Sequence, residues 1–150
     1  MERTIDDTMR YVALLTRHIR KGDIPAAILA VLADLEFQAH KEGFLYLRKS
    51  IYLKTVNSDL NLSAIYLEII RISSNVSGSK QIDQAICNSI TDAWKGRNRA
   101  KWALFFSGKA DRNSRPSNYV FIARIACYME LWCSWCKEVV SCSGESCDIC

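Results

Sequence analysis

Proline is almost absent from these 150 residues, occurring only at positions 25 and 116, and there are six glycines. With so few breakers, and no Gly/Ser-rich or low-complexity run, nothing separates the chain into independent halves. Long apolar runs are missing as well. IPAAILAVLADLEF (24–37) is interrupted by Asp34 and Glu36 and falls short of the about 20 residues that a membrane-spanning helix needs. The opening MERTIDDTMR lacks the apolar core of a secretory signal, so a cytoplasmic location and no membrane partner are expected. Strict apolar–polar alternation is scarce, which argues against sheet. No nucleophile–base pair, paired-carboxylate site or phosphate-binding loop is evident, so no enzyme is expected.

What is present is helical periodicity. Apolar residues recur at spacings of three and four nearly everywhere, which predicts an all-α fold of about six helices and leaves the central pair as either a helix-turn-helix or an ordinary helical hairpin. The first spans about Thr4 to Lys21, with Thr4 as its cap and Met9, Val12, Leu15 and Ile19 on one side, and reads as an N-terminal arm (1–22). The second runs from about Ile24 to Phe37, with Asp23 before it and Pro25 in its first turn. The third covers about Gly43 to Val56, with Leu45, Leu47, Ile51 and Leu53 set among exposed Arg48, Lys49 and Lys54. Asn57-Ser58-Asp59 should break the chain and cap the fourth, about Leu60 to Ser73. A short polar turn, SNVSGSK, leads to the fifth, residues 79–95, ending at Gly96. A short segment around Ala100–Phe106 and a basic loop precede the last helix, from Ser117 to about Val140.

The fifth helix carries the most information. At 100° per residue, Ile82, Ala85, Ile86, Ile90, Ala93 and Trp94 share one side, and Lys80, Gln81, Gln84, Asn88, Thr91 and Lys95 share the other. Asp83 and Asp92 fall on the flanks and Cys87 near an edge. An ordinary solvated face mixes Glu and Lys, whereas this stripe has no acid and is rich in side-chain amides. An amide's donor and acceptor match adenine N6 and N7 in the major groove. Directly afterwards, KGRNRAK places Lys95, Arg97, Arg99 and Lys101 in seven residues. From Lys95 to Arg124 eight basic residues face the single acid Asp111, although the whole chain is only +4. These features permit double-stranded DNA as the partner, and an ordinary exposed polar face followed by a solvated basic loop is the other reading of the same residues. Lys80, Gln81, Gln84 and Asn88 would face bases, and Thr91, Lys95, Arg97, Arg99 and Lys101 would face phosphates.

Three stretches resemble one family, the C-terminal effector domain of the stage zero sporulation master regulator, sporulation protein A, of endospore-forming bacteria. QAHKEGFLYLRKSI (38–51) is similar to its His-x-x-Gly-aromatic-Leu-Tyr-Leu-Arg segment, through His40, Gly43, Leu45, Tyr46, Leu47 and Arg48. AICNSITDAWKGRN (85–98) is similar to its reading helix and exit, and RPSNYVFIARIA (115–126) to the entry of its last helix. The resemblance covers roughly Ile24 to Leu131, so residues 23–131 are expected to be the effector-like domain. It implies an all-helical domain whose helix-turn-helix binds a short promoter box, often as adjacent copies, and contacts RNA polymerase. Matched to a segment between helices, His40 reads as structural, and neither it nor His18 has a partner pattern for catalysis. Two departures stand out. Only about 23 residues precede the similarity, so the family's phosphoacceptor receiver is not expected ahead of it. In addition, Gln81, Gln84 and Cys87 stand where the family's helix carries arginines. The rival expectation is a DNA-incompetent relative that contacts a full-length sporulation regulator or RNA polymerase through its last helix and the Trp132/Trp135 region.

The end of the chain (132–150) is cysteine-rich. Cys133 and Cys136 form one C-x2-C pair, and Cys147 and Cys150 another, with Cys142 spare. Thiolates so spaced are candidate ligands of a structural zinc, and free thiols are the other reading in a reducing compartment.

Overall fold

A computed structural model describes residues 5–73, 75–106 and 114–143; of residues 5, 6 and 139–143 only the backbone is considered. The described residues form seven helices and no strand: α1 (Ile5–Leu15), α2 (Ile24–Asp34), α3 (Glu42–Val56), α4 (Leu62–Ile72), α5 (Ser79–Lys95), α6 (Arg99–Phe105) and α7 (Asn118–Ser143). The all-α expectation holds, with the short segment after α5 forming a helix of its own. Asn98 starts it by accepting a hydrogen bond from the Lys101 backbone at 3.1 Å.

Helix α3 lies at the centre and packs against α2, α4, α5 and α7. Leu47 and Ile51 from α3, Ile65 and Ile69 from α4, Ile82, Ile86 and Ile90 from α5, and Phe121, Ile122, Ile125, Met129 and Trp132 from α7 are all buried in one core. An aromatic cluster extends it. Trp102 lies 5.6 Å from both Trp94 and Phe121 and 6.0 Å from Phe37, centroid to centroid. Helix α1 rests on α7, α2 and α6, with Thr8 and Val12 buried; the Thr8 hydroxyl donates to the Leu104 carbonyl at 2.6 Å.

Several ends and faces differ from the sequence reading for identifiable reasons. The proposed cap Thr4 lies outside the described residues. Helix α1 stops at Leu15 rather than Lys21, and the Thr16 hydroxyl bonds back to the Val12 carbonyl at 2.7 Å. Helix α2 stops at Asp34 because Glu36 turns left-handed (φ 69°), which lets the Phe37 amide reach the Leu32 carbonyl and puts the Phe37 ring in the aromatic cluster. The cap of α4 is Asn61, which accepts from the Ala64 amide at 2.9 Å. Asn57 instead accepts from Asp59 N–H, closing a separate turn. Lys54 is not exposed. Its ammonium donates to the carbonyls of Ser58 and Leu60, both at 2.6 Å, and stitches α3 to this turn. Leu45 is 44% exposed, and Phe44 and Tyr46 fill the core in its place.

One glycine sets the spacing of the fold. A Cβ on Gly43 would lie 2.0 Å from the Ala85 carbonyl oxygen and 3.0 Å from the Ser89 Cβ. Only hydrogen fits there, so α3 and α5 touch backbone to backbone.

Candidate nucleic-acid interface

Helices α4 and α5 are joined by residues 73–78, and α5 starts and ends where its periodicity predicts. Gln81, in its first turn, folds back on the connection. Its Oε1 accepts from the Ser77 amide at 2.8 Å and the Ser77 hydroxyl at 2.7 Å, just ahead of the N-cap Gly78. Its Nε2 donates to Glu42 of α3 at 2.9 Å. Gln81 therefore braces the turn against α3. Glu42 also accepts from the Tyr46 hydroxyl at 2.8 Å, and the Gln81 bond, then the Tyr46 bond, hold its carboxyl below the usual range.

Asp83, which the sequence places merely on a flank, joins three helices. It accepts from the Tyr66 hydroxyl of α4 at 2.7 Å and from Asn118 Nδ2 of α7 at 2.9 Å. Asn118 Nδ2 also reaches the Asp83 carbonyl at 3.0 Å. Burial, and after it the carboxylate contact, raises the Tyr66 hydroxyl well above its ordinary range. The network fixes the angle between the two helices of the motif and ties both to the start of α7. Periodicity gives no sign of it beyond an Asp on the flank of a helix whose outward stripe lacks acids.

The inner side of α5 is as expected, with Ile82, Ile86, Ile90 and Ala93 buried and Ala85 and Trp94 half-buried against the core. Ser89 is also buried, beneath Gly43. On the outer side, Lys80, Gln84, Asn88 and Lys95 are exposed, and Gln81 and Thr91 are half-buried. Gln84 Nε2 donates to Asn88 Oδ1 at 2.9 Å. That bond aligns the two amides one turn apart.

The cations after α5 do not form one exposed group. The Arg97 guanidinium lies 3.5 Å from the Trp94 ring centroid and donates to the Trp94 carbonyl at 3.0 Å. Burial, then neighbouring Arg99, lowers its pKa. Lys101 pairs with Asp34 of α2 at 3.3 Å, and Asp34 also accepts from the Tyr11 hydroxyl. Arg99 and Lys95 remain exposed, and neither they nor Lys80 takes part in the ion pairs found among the described residues. His40 is exposed in the turn before α3.

At the far end of α7, Trp132 is 1% exposed and belongs to the core, so of the two tryptophans there it is Trp135, 42% exposed, that offers an aromatic surface. Cys133 is half-buried and Cys136 buried, while Cys147 and Cys150 lie outside the described residues. No group of three or more His, Cys, Asp or Glu side chains positioned to hold a metal occurs among the described residues. None of the described helices is long and apolar enough to cross a membrane.

An all-helical domain in which two helices are locked around a short connection, with the second presenting an acid-free amide and lysine face, defines a helix-turn-helix protein. Residues 28–129 match the model of the sporulation initiation factor Spo0A C-terminal family, and the chain belongs to that family. It is a family of sporulation effector domains that regulate transcription by binding DNA, and not an enzyme family.

Proposed function

We propose that this chain is a sequence-selective DNA-binding regulator whose helix α5 enters the major groove, with residues 23–131 as the binding unit. Lys80, Gln84 and Asn88 face base edges. Lys95 and Arg99 contact phosphates, supported by Thr91, by the Trp94-stacked Arg97 and by Lys101. Gln81 is held by Ser77 and Glu42, and joins the base contacts only by giving up those bonds.

The observation that carries the reading is the Gln84–Asn88 bond at 2.9 Å on an exposed, acid-free stripe. With Gln84 Nε2 donating to Asn88 Oδ1, the Gln84 carbonyl is left to accept and the Asn88 NH2 to donate. Adenine offers the complementary pair, an N6 donor and an N7 acceptor. The two residues form a pre-oriented reader whose side-chain freedom is already reduced before DNA arrives. Action through protein contact alone has less support, since Trp132 is packed inside the core.

The reading is tested by duplex binding over a salt series. Wild-type protein should bind a selected duplex more tightly than a scrambled one at moderate salt, and Gln84→Ala should lose about 1–3 kcal/mol of that discrimination. Equal binding to selected and scrambled duplexes by the wild type would refute it.

A further inference from the structure

Two cations that do not belong to α5 lie at its two edges. Lys41, at the start of α3, places Nζ 3.0 Å from Asp92 Oδ2. Arg115, just before α7, donates from Nη2 to Cys87 Sγ at 3.0 Å, from Nη1 to the Pro116 carbonyl at 2.7 Å, and lies 3.5 Å from Asn118 Oδ1. Cys87 and Asp92 are five residues apart, which on an α-helix is an arc of about 140°. Lys80, Thr91, Gln84, Lys95, Asn88 and Gln81 all fall within that arc, in that order. The polar face of α5 is thus bracketed on each side by a cation from another element.

The bracket fits a groove. The major groove is about 12 Å wide and a helix with its side chains about 10–12 Å across, so the edges of an inserted helix meet the groove walls, which are sugar-phosphate. The contact that ties each cation to α5 is a weak one in the free protein. The Lys41–Asp92 pair is exposed, with side-chain exposures of 41% and 45%, and such pairs contribute little. A thiol is a weak acceptor, so Arg115 exchanges it readily for a phosphate oxygen. Both anchor points are rigid relative to α5, Lys41 through the Gly43–Ala85 contact two residues on, and Arg115 through the Asn118–Asp83 bonds.

Resting on the reading of α5 as the groove helix, we propose that Lys41 and Arg115 are phosphate contacts on opposite walls of the groove and fix the depth and roll of α5 within it. The full chain is titrated against the duplex it selects best, and log K is followed against log salt. Lys41→Gln and Arg115→Gln should each make the slope shallower by about 0.9, and the double variant by about 1.8, with the selected sequence unchanged. Lys41→Arg and Arg115→Lys should keep the wild-type slope. Lys137→Gln, exposed on the far half of α7, should leave the slope where it is. A wild-type protein that selects no sequence overturns the groove reading and this proposal together. If the wild type does select a sequence, an unchanged slope in either glutamine variant overturns this proposal alone. So does a change in the preferred base on Arg115→Gln, which would make Arg115 a base reader.

Discussion

Replacing Gly43 by alanine isolates the contact that sets the position of α5 against α3. In an exposed helix this exchange stabilises by about 0.5–1 kcal/mol, because alanine has less backbone freedom to lose. Here the added methyl would sit 2.0 Å from the Ala85 carbonyl oxygen, where ordinary contact begins at 3.4 Å, so the two helices must part by about 1.4 Å. The obstacle is main chain and cannot rotate away. Overpacking of this kind costs about 1–3 kcal/mol and sometimes more, so the net expectation is a loss of about 2 kcal/mol. For a chain of this size that lowers the midpoint of thermal unfolding by roughly 4–8 °C. Because α5 must shift relative to Lys41, Glu42 and Asp83's partners, DNA affinity should fall by more than the unfolded fraction explains. Gly96→Ala is the control, since a Cβ there meets nothing within 4 Å and its φ of −100° suits any residue. Denaturant titration followed by circular dichroism reads both variants. A Gly43→Ala protein as stable as wild type, or more so, would refute the account of the α3–α5 seam.

The Asp83 network gives a pH-dependent test. Tyr66→Phe removes the bond to a charged acceptor and should cost about 1.5–3 kcal/mol in chemical denaturation. The Tyr66 hydroxyl is raised in the folded state, so its contribution is intact below the unfolded value of about 10 and is lost as pH climbs beyond it. Wild type should therefore lose stability between about pH 10 and 12 more steeply than Tyr66→Phe; parallel curves would contradict this. Asn118→Ala removes both bonds to Asp83 and should loosen α5 from α7, read as faster amide exchange along the first turns of α5. Arg99→Ala should weaken binding to all duplexes alike and make the salt slope shallower by about 0.9, whereas a sequence-dependent loss would place Arg99 on a base.

The sequence was most legible where a single helix decides the outcome. The limits of α5, its inner Ile82–Ile86–Ile90 row and its acid-free outer stripe follow from the 3.6-residue period alone. What could not be read is what one element does to another. Lys54 looks like a surface lysine until the turn carbonyls of Ser58 and Leu60 are brought to it. Gln81 looks like a neighbour of Gln84, yet it is spent on Ser77 and on Glu42, thirty-nine residues away. Gly43 carries a family-like motif, but its reason is a carbonyl on another helix. Helix ends are not legible where tertiary pull overrides local preference, as at Phe37, which leaves α2 early to reach Trp102 and Phe121. The run of basic residues after α5 is plain in the sequence. Which of them are committed internally, as Arg97 and Lys101 are, depends on Trp94 and Asp34 being near.

In the proposed function the amide stripe of α5 reads bases. Selection of bound duplexes from a random library, carried out side by side with wild type and a Gln84→Ala/Asn88→Ala double variant, tests it directly. The account predicts that wild type enriches a short site containing at least one fixed adenine, and that the double variant binds with a similar salt slope but loses that adenine. Enrichment of the same site by both proteins, or of no site by the wild type, would contradict it.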